Sequence, residues 1–105
     1  MTTRRAADVV ADTMIAHGVD RAFCVPGESS LALLDALYDR PAIDLVAARH
    51  ESGAGFMAVA DAKCTGRPGL CLVSRGPGAT NASIAIHTAE QDASPLIVVI
   101  GQVAR

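Results

Sequence analysis

The sequence is poor in aromatic residues: it has no tryptophan, one tyrosine and two phenylalanines, and aromatic residues are 3% of its 105 residues. Hydrophobic residues are nevertheless 50% of the chain, so a core must be built from alanine, valine, leucine and isoleucine. Small aliphatic side chains suit helices that pack closely on a sheet. The length fits one domain with a single core, and we expect one domain over residues 1–105.

The sequence also lacks an excess of positive charge, since its formal net charge is −2 and its pI is near 5.8. This balance disfavours nucleic acid and anionic membranes as main partners. We expect neither a signal peptide nor a membrane span, because Asp8 and Asp12 follow the first basic residues and no apolar run is long enough to cross a bilayer.

Cysteine is scarce as well, with Cys24, Cys64 and Cys71 forming an odd number without CxxC spacing. We expect reduced thiols in or near the core of a cytoplasmic protein, and no disulfide framework. None of the three histidines has a cysteine or aspartate at ligand spacing. The sequence therefore predicts no metal site of its own.

Four segments with helical patterns alternate with four short apolar segments. The predicted helices span about 3–17, 29–40, 51–64 and 79–91, and the predicted strands are Arg21–Val25, Ile43–Ala48, Leu70–Ser74 and Leu96–Gly101. Continuous apolar strands indicate a parallel sheet covered by helices on both faces. The sequence thus predicts an α/β fold, an incomplete flavodoxin-like three-layer domain of order αβαβαβαβ, in which Ser29 or Ser30 caps the second helix.

The third and fourth predicted helices carry apolar residues on nearly all sides, for example Phe56, Met57, Ile84 and Ile86. A helix that is apolar all round is covered on more than one side. A domain of this size has no further elements to cover the outer faces. We therefore expect self-association, at least into a homodimer, through these two helices.

Four turns follow the predicted strands, and in a parallel sheet they share one edge, here called the carboxyl rim. These turns are Pro26-Gly27-Glu28, Arg49-His50-Glu51, Ser74 to Gly78, and Gly101-Gln102. Open α/β sheets usually bind ligands at this edge. Turns between strands and helices also need glycine and proline for their own geometry, so the pattern alone leaves both explanations open.

Glu51 is the acid at one of these junctions, between a predicted buried strand and an apolar helix. It can simply favour the helix dipole as a first-turn acid. A carboxyl in apolar, interfacial surroundings can instead exchange a proton near neutral pH. Residue types and spacing leave the choice open, while His50 is more typical of a structural donor than of a base.

Residues Gly76 to Asn81 read G-x-G-x-x-N after a strand and before a helix. This is close to the dinucleotide fingerprint, but Asn81 replaces its last glycine, and Gly101-Gln102 stands where a ribose-binding acid is expected. We therefore disfavour a nicotinamide or flavin site. The turn can still bind an anion at the helix amino terminus.

Three segments carry a resemblance to a known family: VPGESSLALLDALYD, RHESGAGFMAVADAKCTGRPGLCLVSRGPGATN and QDASPLIVVIGQV. They resemble the amino-terminal pyrimidine-binding domain of thiamine-diphosphate-dependent enzymes, with the acetolactate synthase branch most similar. The resemblance covers nearly the whole chain. The order of VPG, RHE, TGRPG, GPGATN and GQV is what makes it specific.

The resemblance implies that Glu51 is catalytic. In this family the glutamate of the RHE segment hydrogen-bonds N1′ of the cofactor's aminopyrimidine and promotes deprotonation of the thiazolium carbon, which then attacks a 2-keto acid. It further implies that Pro26, Gly27, Pro77 and Asn81 help to hold the pyrimidine half. A cytoplasmic, homodimeric transferase or lyase is the expected parent protein.

In this family the diphosphate and Mg²⁺ are held by a separate domain with a GDG…N motif, which this sequence lacks. The resemblance therefore implies a truncated piece that provides the pyrimidine half of the site and is inactive alone. The alternative is a non-catalytic flavodoxin-like binding or dimerisation module.

Overall fold

The computed structural model describes residues 3–104, and its elements follow the predicted order. The helices are α1 (Ala6–Ala16), α2 (Leu31–Tyr38), α3 (Glu51–Thr65) and α4 (Pro77–Gln91), and the strands are β1 (Arg21–Cys24), β2 (Asp44–Ala47), β3 (Gly69–Val73) and β4 (Leu96–Ile100). A short 3₁₀ turn, Glu28–Ser30, precedes α2.

The four strands form one parallel sheet in the order β2-β1-β3-β4. Phe23 of β1 lies between Val46 of β2 and Cys71 of β3 in the register. The chain moves outward from β1 to β2 and then in the other direction through β3 and β4. The strand order therefore reverses between β1 and β3, which is where open sheets of this kind bind ligands.

Helices cover both faces of the sheet, which confirms the predicted α/β fold with flanking helices. One apolar cluster joins α1 and α2 to the sheet, and it contains Ala11, Ala22, Cys24, Leu37, Leu70 and Leu72. The other joins α3 and α4 to the opposite face, and it contains Phe23, Ala54, Ala58, Cys71, Val73 and Ala82. Because side chains alternate along a strand, neighbouring residues of β1 and β3 serve different clusters.

Several local expectations need correction. The second strand is shorter than Ile43–Ala48 and is not fully buried, because β2 lies at the edge of the sheet and Asp44 and Ala47 are exposed. Cys24 and Cys71 are buried as expected, but Cys64 is exposed near the end of α3. Within the described residues, no helix is long and apolar enough to cross a membrane.

The serine cap predicted for α2 is wrong. Ser30 precedes α2, but its side chain caps no helical N–H group. Its hydroxyl donates instead to the Gly27 carbonyl at 3.1 Å. The 3₁₀ turn already places a backbone carbonyl near this hydroxyl, and that contact replaces the cap.

Helices α3 and α4 approach each other at Gly55 and Ala85. A Cβ atom on Gly55 would lie 2.5 Å from the Ala85 Cβ, so the two helices touch at a distance that only glycine permits. On their outer sides Phe56 and Ile84 remain 41% and 55% exposed. The outer faces of both helices are thus apolar and uncovered in a single chain.

Gly55→Ala should lower the free energy of unfolding by about 1–2 kcal/mol, because the overpacking cost of roughly 1–3 kcal/mol exceeds the gain in helix propensity. Gly53→Ala is the matched control, since a Cβ there meets nothing within 4 Å. It should raise the free energy of unfolding by about 0.5–1 kcal/mol. Urea denaturation of both variants measures the two changes, and equal changes would contradict the close contact.

Candidate functional site

The four turns of the carboxyl rim meet in space, as the parallel sheet predicts. A Cβ atom on Gly27 would lie 2.9 Å from the Ser74 Cβ, and one on Gly101 would collide with the Ser29 backbone. A Cβ on Gly78 would lie 3.3 Å from both Glu51 Oε2 and Ser74 Cβ. Glycines are therefore placed where the turns come closest to one another.

Ser29 fastens the turn after β1 to the turn after β3. Its hydroxyl lies 2.7 Å from the Ser74 hydroxyl and accepts the Arg75 backbone N–H at 3.2 Å. The sequence gives no signal for this connection, because the two serines are 45 residues apart. It fixes the geometry of the rim at the position where the strand order reverses.

His50, and not Glu51, caps α3 with its side chain. Its Nδ1 accepts the Ser52 backbone N–H at 3.1 Å and lies 2.9 Å from the Ser52 hydroxyl. His50 therefore has a structural role, as expected, but it acts as a hydrogen-bond acceptor and not as a donor. It accepts from a helix N–H group that would otherwise lack a partner. The Glu51 carboxylate is left for other contacts.

Glu51 begins α3, and its half-buried carboxylate points towards α4. Its Oε1 accepts a hydrogen bond from Asn81 Nδ2 at 3.1 Å. Its Oε2 faces Gly78 and accepts no hydrogen bond from residues 3–104. One carboxylate oxygen is therefore held in place, and the other remains open to a ligand.

The other predicted site residues lie on the neighbouring turns. Pro26 is exposed two residues after the end of β1, and Gly27 packs against Ser74. Pro77 is the first residue of α4 and is exposed on the rim. The structure thus brings Glu51 and Asn81 into direct contact. Pro26 and Gly27 lie on the turn after β1, and Pro77 lies at the end of the turn after β3.

Comparison with known proteins shows which family the chain belongs to. Residues 4–105 match the family described as thiamine pyrophosphate enzyme, N-terminal TPP binding domain. The chain belongs to this family. Thiamine pyrophosphate is thiamine diphosphate under another name, so the resemblance seen in the sequence is confirmed.

Relatives of this thiamine pyrophosphate enzyme domain are acetolactate synthases. The chain is 38% identical over 105 residues to acetolactate synthase of Bacillus subtilis, covering 100% of this chain and 18% of the relative. It is 46% identical over 98 residues to the acetolactate synthase isozyme 3 large subunit of Escherichia coli, covering 93% of this chain and 17% of the relative. It is 37% identical over 102 residues to the chloroplastic acetolactate synthase of Arabidopsis thaliana, covering 97% of this chain and 15% of the relative. The chain spans less than a fifth of the length of these relatives.

The chemistry of the residues present is compatible with thiamine pyrophosphate. A ring nitrogen that shares a proton needs a carboxyl with one free oxygen, which Glu51 Oε2 provides. Gly78 leaves the space beside that oxygen without a side chain. Among residues 3–104, no group of three or more histidine, cysteine, aspartate or glutamate side chains could hold a metal ion.

Cys71 lies in the buried cluster between the sheet and the two helices that carry Glu51 and Asn81. Burial, together with the smaller effects of the charges of Cys24 and Glu51, raises the pKa of the Cys71 thiol to about 11. The carboxylate of the site is therefore close enough to act on a thiol in the core. Beneath the rim, Cys71 lies among apolar residues of the core.

Stability should fall at alkaline pH because of Cys71. The folded chain keeps the thiol proton up to a pKa of about 11, whereas the unfolded chain loses it near the ordinary value of 9.0. The stabilisation is thus complete below about pH 9 and is lost as pH rises towards 11, at up to about 1.4 kcal/mol per pH unit.

Urea denaturation between pH 8 and 11 measures this slope. Cys71→Ala should have a flatter pH profile than the wild type, whatever its stability at pH 8. Cys64→Ala is the control, because Cys64 is exposed and its removal should leave the slope unchanged. A slope in Cys71→Ala equal to that of the wild type would contradict this assignment.

Proposed function

We propose that this chain binds the aminopyrimidine half of thiamine diphosphate in an acetolactate synthase-like enzyme that acts on 2-keto acids. The observation that carries the proposal is the half-buried Glu51 carboxylate, with one oxygen held by Asn81 and the other open. The family match and the acetolactate synthase relatives support it.

In this proposal Glu51 Oε2 shares a proton with pyrimidine N1′. Asn81 keeps the carboxylate from rotating, because a charge-assisted hydrogen bond holds Oε1 at 3.1 Å. Gly78 allows a flat ring to approach Oε2, and Pro26, Gly27 and Pro77 shape the adjoining turns. When bound, the cofactor supplies a thiazolium carbon that attacks the carbonyl of a 2-keto acid.

The parent protein we propose is a cytoplasmic homodimer with transferase or lyase activity. Mg²⁺ and the diphosphate would be held by residues outside this chain, whose sequence has no GDG segment. The exposed Phe56 and Ile84 on the outer faces of α3 and α4 support contact with a second subunit. They equally favour the second candidate, a dimerisation module without catalysis, so the pyrimidine test below separates the two.

The chain should bind 4-amino-5-hydroxymethyl-2-methylpyrimidine, the pyrimidine half of the cofactor, at the carboxyl rim. In ¹⁵N-labelled protein we expect the amides of Glu51, Gly78 and Asn81 to shift during a titration with this compound. Glu51→Gln should weaken binding by about tenfold, since an uncharged amide cannot accept a shared proton from the ring.

Glu90→Gln is the matched control, because Glu90 is an exposed glutamate of the same domain on α4. It should bind the pyrimidine as the wild type does. Binding that is equally strong in Glu51→Gln would return Glu51 to a purely structural role. Dimerisation without any pyrimidine binding would favour the non-catalytic module.

The chain alone should not turn over pyruvate. No group of three or more histidine, cysteine, aspartate or glutamate side chains among residues 3–104 could hold a metal ion, and the sequence has no GDG segment for the Mg²⁺–diphosphate half of the cofactor. We expect no carbon dioxide release above background from pyruvate with added thiamine diphosphate and Mg²⁺. Sustained release that depends on Glu51 would contradict this prediction.

A further inference from the structure

Most lysine and arginine side chains between residues 3 and 104 are paired. Six lysine and arginine residues form ion pairs with aspartates: Arg4, Arg5, Arg21, Arg40, Lys63 and Arg67. Between residues 3 and 104, only Arg49 and Arg75 form no such pair. Both lie on the carboxyl rim, on the turns that lead to Glu51 and to Pro77. The basic side chains without an ion pair therefore lie on the rim that carries the candidate site.

Arg75 differs from Arg49 because it lines a cleft. This rim cleft has a volume of about 200 Å³ and is formed by Glu28, Ser29, Ser74, Arg75, Pro77 and Val103. The Arg75 backbone N–H is fixed by the Ser29 hydroxyl at 3.2 Å. The guanidinium is thus attached to a fixed backbone but has no acidic partner, so its donors are available to a ligand.

The rim cleft adjoins the candidate site through Ser74. A Cβ atom on Gly78 would lie 3.3 Å from Ser74 Cβ on one side and 3.3 Å from Glu51 Oε2 on the other. Ser74 thus lines the cleft, and only the Gly78 backbone separates it from the open carboxylate oxygen of Glu51. The rim cleft and the Glu51 carboxylate are therefore neighbouring parts of the carboxyl rim.

The charges of the cleft select the kind of anion. A guanidinium binds a carboxylate with two parallel hydrogen bonds. Glu28 lines the same cleft and also forms no ion pair within the described part of the chain, so its negative charge opposes any anion that enters. In a cleft with one positive and one negative side chain, a ligand with a second negative charge is repelled more strongly by Glu28. The cleft therefore favours a carboxylate, with one negative charge, over a phosphate dianion.

We propose that Arg75 is a specificity-determining residue that binds the carboxylate of a small monocarboxylic acid in the rim cleft. That this acid is the 2-keto acid substrate rests on the function proposed above, whereas binding of a monocarboxylate rests on the cleft alone. Glu28 weakens binding and excludes doubly charged ligands. Arg49, which lies outside the cleft, contributes only a diffuse attraction.

A titration of the ¹⁵N-labelled chain with sodium pyruvate, at constant ionic strength and without thiamine diphosphate, tests the proposal. The amides of Ser29 and Arg75 should shift in a saturable manner. Arg75→Gln should weaken pyruvate binding by about tenfold and Glu28→Gln should strengthen it. Arg49→Gln, which removes the other unpaired rim charge, should change it less than twofold.

Inorganic phosphate is the second probe, and the wild type should bind it more weakly than pyruvate. Glu28→Gln should reduce this preference. Arg75→Lys keeps the positive charge but loses the paired donors of the guanidinium, so we expect its affinity for pyruvate to lie between those of the wild type and Arg75→Gln. If Arg75→Gln does not fold, Arg75→Lys still tests whether Arg75 binds the carboxylate. Equal affinity in Arg75→Gln, an equal loss in Arg49→Gln, equal binding of phosphate, or no saturable shift with pyruvate would each overturn the proposal.

The titration contains no pyrimidine, so its result is independent of the Glu51 test. Pyrimidine binding without pyruvate binding would remove the role of Arg75 and leave the proposed function standing. Pyruvate binding without pyrimidine binding would leave a carboxylate site on a domain whose proposed function had failed.

Discussion

The close contact between α3 and α4 is the constraint on which the site depends. Glu51 and Gly55 are four residues apart on α3, and Asn81 and Ala85 are four residues apart on α4. Residues with this spacing share one face of a helix. The Gly55–Ala85 contact thus lies one turn below the Glu51–Asn81 hydrogen bond. A side chain at Gly55 that separated the helices would also separate the carboxylate from the amide that holds it.

Charged side chains are paired around α1 and α2, whereas those on the carboxyl rim are not paired with one another. Around α1 and α2, the arginines and aspartates neutralise one another, as in the group formed by Arg5, Asp8, Asp12 and Arg40. These exposed or half-buried pairs add little stability individually, but they give each arginine near these two helices an acidic partner. On the carboxyl rim the charges of Glu28, Arg49, Glu51 and Arg75 are not paired with one another. A ligand therefore meets charged groups there that no neighbouring side chain neutralises.

Much of this could be predicted from residue types and their spacing. The alternation of apolar runs with helical patterns predicts the fold. The position of Glu51 between a strand and an apolar helix makes it a candidate, but residue types leave its role open, and only the family resemblance implies one. Contacts between distant turns were not predictable from these signals. The Ser29–Ser74 bond joins residues 45 positions apart, and the His50 cap depends on a ring orientation that residue order does not fix. The edge position of β2 is likewise not predictable from the sequence, because an apolar run has the same pattern at the edge and in the centre of a sheet.

The arrangement around Glu51 meets two opposing demands that the proposed proton sharing makes. A carboxylate with both oxygens bonded to the protein has fewer acceptor positions left for a ligand, whereas one with neither bonded rotates freely and is not oriented towards a ligand. Here Asn81 holds Oε1 and leaves Oε2 open. Below the site the buried Cys71, whose pKa is raised mainly by burial, marks an apolar floor. Because apolar residues of the core fill the side below Glu51, a ligand that shares a proton with Oε2 has to approach from the rim.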